Sequence, residues 1–147
     1  MKIENHLNVI RLAGQGDAVA MAHLFRQLGY PASPVEVAER WLQPAPDREV
    51  LLASHEVEVE VVGVLVWHRL RPLHVAPDWG LISALVVDEG ARGSGVGAAL
   101  LATAEARALA QGCSQLELSS SLKRQDAHRF YLSQGYLERP KRFVKVF

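Results

Sequence analysis

The chain has 147 residues, with 16 Lys and Arg against 16 Asp and Glu and a formal charge of zero. No Lys/Arg-rich run exists to track a phosphate backbone, so nucleic acid is not an expected partner. No apolar run approaches the ~20 residues that span a bilayer, so no membrane association is expected either.

That length suits one domain, residues 1–147, which buries roughly two-thirds of its unfolded surface and folds without staples. The start, Met-Lys-Ile-Glu-Asn-His, has no apolar leader-like run, and a soluble cytoplasmic protein is the expectation. The only cysteine, Cys113, cannot form an internal disulfide.

Residues 8–13 alternate well enough for a first strand. Asp17 stands where it can cap a helix carrying Met21, Leu24, Phe25 and Leu28 on one face, with Gly29 at its stop. Ser33-Pro34-Val35-Glu36 combines an N-cap, a first-turn proline and a capping-box Glu, and so starts a second helix through Trp41 and Leu42. Residues 49–55 and 57–69 both read as strands of an antiparallel hairpin, turning near Glu56 to Glu58 although the usual Asn-Gly or Asp-Gly is missing. Residues 69–78 contain Pro72 and Pro77 and read as a loop.

The rest of the chain is organised around residues 81–98. An apolar, β-branched run stops at Asp88, a glycine-rich turn follows, and then Val96, Leu100, Ala104 and Ala108 recur every fourth residue as far as the stop at Gly112. Gly93, Gly95 and Gly97 carry no Cβ, so several amides can converge on one small acceptor at a helix N-terminus. Arg92 adds a fixed positive fork, and the stretch Arg92, Gly93, Ser94, Gly95, Val96, Gly97 and Ala98 reads as a phosphate or pyrophosphate site. A P-loop would place a Lys after the glycines, and a dinucleotide fingerprint would place Gly-x-Gly-x-x-Gly directly behind its strand; neither spacing is present.

Residues 115–119 form the next expected strand, with Leu116 and Leu118 facing one way and Glu117 the other. Gln125 or Asp126 starts a helix that Gly135 ends. Residues 136–139 and 143–147 read as short final strands around Pro140.

Arg92-Gly93-Ser94-Gly95-Val96-Gly97 resembles the Arg/Gln-x-x-Gly-x-Gly/Ala signature of the GCN5-related N-acetyltransferases. Downstream, the stretch from Ala127 to Tyr136 resembles that family's Ala-x-x-Phe-Tyr-x-x-x-Gly-Phe/Tyr motif, in the right order and at the expected distance. The resemblance is close over residues 79–147 and looser over the whole chain. It implies an α/β fold whose mixed, largely antiparallel sheet is flanked by helices, with a parallel strand pair splaying into a V-shaped cleft. It also implies acetyl-coenzyme A as cosubstrate, its pyrophosphate on residues 92–98. The backbone of Leu85, Val86 and Val87 would pair with the pantetheine amides like an added strand, one N–H polarising the thioester carbonyl. Ala127 and Phe130 are carried over as further cofactor contacts. Where the family often has an Asn, this chain has Arg124, which could instead meet a phosphate; Ser119, Ser120 and Ser121 lie just before it.

Acetyl transfer to an amine requires a held donor, a neutral amine, a stabilised carbonyl oxygen and a proton for the departing thiolate. Tyr131 is the candidate acid, because a phenol of pKa about 10 suits an alkyl thiolate and the family motif puts its Tyr beside the sulfur. The alternative is a core aromatic like its neighbour Phe130. Glu117, or an ordered water, is the candidate base, against a Glu that faces solvent or pairs with Arg129. His128 and His74 are weaker candidates. Cys113 reads as a small buried hydrophobe, which argues against a ping-pong route, and the six histidines show no ligand spacing, so no metal is expected.

The expected activity is therefore direct attack of a primary amine, on a small molecule or a peptide, upon the bound thioester. A non-catalytic acyl-coenzyme A sensing module is the rival; it would keep Arg92 and the glycines but tolerate loss of Tyr131. Arg69, Arg71, His74, Arg139, Lys141 and Arg142 hint at an acceptor bearing a carboxylate or phosphate. Members of the resembling family often form homodimers, although the sequence marks no interface.

Overall fold

The computed structural model describes residues 8–56, 60–120, 124–139 and 142–147. Most of the turn expected at Glu56 to Glu58, together with Ser121 and Lys141, lies outside the described residues. In chain order the elements are β1 (Val9–Leu12), α1 (Ala18–Leu28), α2 (Pro34–Leu42), β2 (Arg48–Ser54), β3 (Gly63–Leu70), β4 (Asp78–Val87), α3 (Val96–Ala110), β5 (Cys113–Leu118) and α4 (Gln125–Ser133). The strands form one sheet in the order β1-β2-β3-β4-β5. The first three junctions are antiparallel, and β4 and β5 are parallel, joined through α3.

Both faces of this sheet are covered, which explains why β2 and β3 are apolar along nearly their whole length. Leu51, Leu65, Trp67 and Ile82 pack against Val96, Leu100, Leu101, Ala104 and Ala108 of α3. On the opposite face, Val50, Leu52, Val64 and Val86 pack against Met21 and Leu24 of α1. The period of four read in α3 is thus its buried stripe, and each fully buried side chain in it contributes roughly 1.5–3 kcal/mol when large. Cys113 is buried in the same layer, where loss of solvent raises its thiol pKa.

The local signals around the helices mostly hold. Ser33 Oγ accepts from the Glu36 amide at 3.1 Å, and Gly29 ends α1 at φ +107°. Asp17 sits at the N-cap of α1 but its carboxylate turns away from the helix. It takes both guanidinium nitrogens of Arg11 at 2.8 Å and the Gly14 amide at 2.7 Å. A bidentate, charge-assisted pair outcompetes a single capping bond.

Two expected boundaries move. β3 begins at Gly63, with residues 60–62 outside the strand. A Cβ on Gly63 would stand 2.8 Å from Val96 Cγ1 and 2.9 Å from Leu100 Cδ1, so the sheet presses onto α3 at this point. Residues 136–139 and 142–147 form no strand. Leu137, Phe143, Val144 and Val146 are exposed there, and apolar character without a partner edge is insufficient to make a strand.

Candidate active site

Pairing on the two sides of β4 breaks at the same place. On the β3 side, Val66 pairs with Ala84 and Trp67 with Ile82, which leaves Ser83 as the extra residue of a β-bulge. On the other side, β5 follows β4 only as far as Ile82↔Leu118. Beyond that point the β5-facing edge of residues 83–87 has no strand partner among the described residues, so the parallel pair opens into a V. Leu85, Val86 and Val87 therefore present main-chain groups along one wall of the gap.

The loop after β4 is held from α1. Gln27 donates to Asp88 Oδ1 at 2.7 Å and accepts the Glu89 amide at 3.0 Å, while Asp88 Oδ2 accepts the Gly90 amide at 3.0 Å. The Gln27 bond above all, followed by the Gly90 amide, keeps the Asp88 carboxyl below its ordinary range. Gly93 and Gly95 lie at φ +81° and +84°, and Gly95 is the N-cap of α3. The first intrahelical bond runs from the Ala99 amide to Gly95 O at 3.0 Å, so the amides of Val96, Gly97 and Ala98 have no intrahelical acceptor.

Open space lies in front of this turn: a Cβ built on Gly93 or Gly95 meets nothing within 4 Å. Arg92 is exposed beside it, its Nε 3.4 Å from Val87 O. Free amides at the positive end of a 15-residue helix, a neighbouring guanidinium and open space together suit a pyrophosphate. Gly97 has a different reason for lacking a side chain. Its Cβ would approach Phe130 Cζ to 3.3 Å and Val87 Cγ2 to 3.6 Å, so it lets α4 close on α3 and β4.

A cleft of about 360 Å³ occupies the V, bordered by Ser83 and Leu85 on β4, Leu118 on β5, and Arg124, Ala127 and Tyr131 around α4. Arg124 donates to Leu28 O at 2.9 Å, tying the start of α4 to the negative end of α1. Tyr131 packs on Phe130 and Tyr136, with ring centroids 5.4 and 6.1 Å away. Burial pushes its phenol above the ordinary value, and the charge of Arg124 opposes that shift. Phe130 and Tyr131 both pack against the core, and of the two Tyr131 borders the cleft.

A second and larger cavity, about 590 Å³, lies between the α1–α2 pair and the sheet. Its polar walls are Glu36 and Arg40 of α2, Arg48 of β2, and His68 of β3. The Arg48 guanidinium lies 5.3 Å over the Trp41 ring, and its buried Nε has no hydrogen-bond partner among the described residues. His68 Nε2 is 2.8 Å from Ser83 Oγ. Burial, and then the Arg48 charge, lowers the pKa of His68. Tyr30, Ser83 and Ala84 border both cavities, so the two meet at the bulge of β4.

Glu117, His74 and His128 border neither cavity; Glu117 is exposed on β5 opposite Leu81, and His74 packs edge-on against Trp79. Arg69 pairs with Asp47 and Asp78 at 3.5 and 3.7 Å, and Arg71 with Asp47 at 3.2 Å, so these two are occupied away from the cavities. Arg142 borders the cleft, and Arg139 is exposed elsewhere. Sequence reasoning passed over Arg40, Arg48, His68 and Ser83, because each looks like an ordinary helix-face or strand residue until the sheet assembles.

The model of the Acetyltransferase (GNAT) family matches residues 17–136, which span both the glycine turn and the Tyr131 helix. The chain belongs to the GNAT family of acetyltransferases. A curated relative, the aminoalkylphosphonate N-acetyltransferase of Salmonella typhimurium, is 46% identical over 87 residues. That match covers 59% of this chain and 56% of the relative, so it spans only about half of that protein. Among solved structures, a transcriptional regulator from Bacillus halodurans C-125 superposes with a TM-score of 0.83 at 26% identity, covering 95% of this chain and 99% of that one. The ribosomal-protein-alanine N-acetyltransferase of Brucella melitensis biovar Abortus 2308 superposes with a TM-score of 0.79 at 23% identity, again over 95% and 99%, and shows the shared GNAT fold. The mixed sheet with a splayed parallel pair, expected from the resemblance, is the architecture found.

Proposed function

We propose that this protein transfers the acetyl group of acetyl-coenzyme A to the primary amine of a small acceptor that also carries an oxyanion, most simply a phosphonate. The observation that carries this reading is the meeting of the two cavities at Ser83 and Ala84, with Tyr131 on the smaller and Arg40 and Arg48 on the larger. An acceptor held by its anion on the arginines would extend its amine towards the strand edge where the thioester is expected. Acetyl-coenzyme A supplies the activated acyl group. The amides of Val96, Gly97 and Ala98 and the charge of Arg92 would hold its pyrophosphate, and the free edge of Leu85 to Val87 would orient its arm. Tyr131, a phenol protonated at neutral pH, would give its proton to the departing sulfur.

Glu117 lies outside both cavities, so as a base it would act only through a chain of water. The larger cavity falls in the range of small-ligand sites. An aminoalkylphosphonate, for which the Salmonella relative is named, unites amine and oxyanion in one molecule of that size.

Thiol release from acetyl-coenzyme A tests this with matched acceptors, 2-aminoethylphosphonate against ethylamine. Two charged hydrogen bonds of about 1.5–3 kcal/mol each give the phosphonate a kcat/KM advantage of ~10² or more. Equal rates would overturn the anionic acceptor. Acetyl-coenzyme A binding with no thiol released on any amine would favour the non-catalytic sensing module.

A further inference from the structure

The proton that an ammonium must lose before it can attack has no assigned acceptor inside either cavity, and one pair of residues stands where it is needed. Ser83 is the bulged residue of β4, exposed, and one of the few that border both cavities. His68 borders the acceptor cavity from the neighbouring strand, with Nε2 2.8 Å from the Ser83 hydroxyl. Without the bulge the pleat would set Ala84 on the opposite face; with it, Ser83 and Ala84 both reach the junction.

We propose that Ser83 and His68 form a relay that removes the proton from the acceptor's ammonium, with Ser83 touching the amine and His68 receiving the charge. With the imidazole proton on Nδ1, Nε2 accepts from the Ser83 hydroxyl. The ammonium gives one proton to Ser83 Oγ as the hydroxyl proton passes to Nε2, leaving a neutral amine with its lone pair free and an imidazolium. That proton returns to water through the open side of the cavity before the next cycle. No oxidant or further reactant is needed. This step rests on the acetyl-transfer reading above and supplies the base that reading lacks.

The charged and titratable groups facing His68 across the cavity are Arg48 on β2, Arg40 and Glu36 on α2, and Tyr30 between the helices. Burial above all, followed by the positive charge of Arg48, lowers the pKa of His68 and favours a neutral ring in the resting state. A neutral imidazole at physiological pH is what a base requires. Glu36 borders the acceptor cavity but not the cleft, whereas Ser83 borders both.

The test is the pH profile of kcat with 2-aminoethylphosphonate at saturating acetyl-coenzyme A, from about pH 6 to about pH 10, for wild type, His68→Gln, Ser83→Ala and Ser83→Thr. Wild-type kcat should level off above the imidazole range. His68→Gln and Ser83→Ala should fall about 10²-fold near neutrality and then climb about tenfold per pH unit, so that the deficit shrinks as the amine deprotonates unaided. Ser83→Thr keeps the hydroxyl and should keep the wild-type profile, and acetyl-coenzyme A affinity should be the same in all four. A wild-type profile in His68→Gln and Ser83→Ala, or a loss equal at every pH, would overturn the relay alone. Should His68→Gln fail to fold, the exposed one-atom change Ser83→Ala carries the test. A wild type that binds acetyl-coenzyme A but releases no thiol would overturn acetyl transfer, and the relay with it.

Discussion

Two glycines at opposite ends of α3 allow the proposed cofactor role of the glycine turn to be separated from simple backbone strain. Gly95 at the N-cap has φ +84° and Gly112 just past the C-terminus has φ +89°. At both, an added Cβ meets nothing within 4 Å. Replacing either with Ala therefore introduces the same left-handed penalty, about 1–2 kcal/mol, with no clash added. In a domain of this size that lowers the melting temperature by roughly 2–8 °C. The two variants should nevertheless differ in ligand binding. Only Gly95 adjoins the amides of Val96, Gly97 and Ala98, which have no intrahelical acceptor. Displacing a phosphate from one such charge-assisted bond costs about 1.5–3 kcal/mol, or a roughly ten- to hundredfold rise in Kd. Gly95→Asp adds a negative charge and should abolish measurable binding. Differential scanning fluorimetry gives the stability loss and calorimetric titration with acetyl-coenzyme A gives Kd. Equal affinities for Gly95→Ala, Gly112→Ala and wild type would refute the assignment of the loop.

Tyr131→Phe should leave the Kd for acetyl-coenzyme A unchanged while lowering kcat about 10²-fold, and unchanged turnover would remove Tyr131 from its role. Arg48→Met should raise KM for 2-aminoethylphosphonate at least about tenfold and leave ethylamine unaffected, as read by initial rates of thiol release. Glu49 accepts from Trp67 Nε1 at 3.0 Å and from Arg107 Nε at 2.7 Å, and the Arg107 contact first of all holds its carboxyl below the ordinary range. A depressed folded-state pKa stabilises above the unfolded value, about 4.3, and that contribution fades as pH falls through the folded value. Urea titrations should show Glu49→Gln about 1–2 kcal/mol less stable than wild type at neutral pH, discounted for the partial exposure of Arg107, with the gap closing in acid. A gap independent of pH would contradict the ion pair.

Features fixed by neighbours in sequence were readable directly. The Ser33 cap, the Gly29 and Gly112 stops, the buried stripe of α3 and the glycine turn all depend on residues within a few positions of one another. The Tyr131 helix was readable because its motif is contiguous. The larger cavity was not, because Arg40, Arg48, His68 and Ser83 come from one helix and three strands and share no local pattern. The bulge at Ser83 depends on the register of β3 against β4, which neither strand specifies alone. Basic residues in the 69–78 loop hinted at an anion site by composition, but Asp47 and Asp78 already pair with Arg69, and Asp47 with Arg71. The last residues read as short strands around Pro140, where the structure provides no partner edge among the described residues. Glu117 illustrates the same limit: a strand position told which way the side chain alternates, but the V opens only past Ile82↔Leu118, beyond its pair with Leu81.

The most direct test of the central claim follows the acetyl carbon itself. Acetyl-coenzyme A labelled with carbon-13 at the carbonyl, mixed with the protein and 2-aminoethylphosphonate, should show by NMR a thioester resonance that declines as an amide resonance grows in equal amount, only when protein and amine are both present. A thioester that persists beside bound protein, or that turns to free acetate, would contradict amine acetylation at the junction of the two cavities.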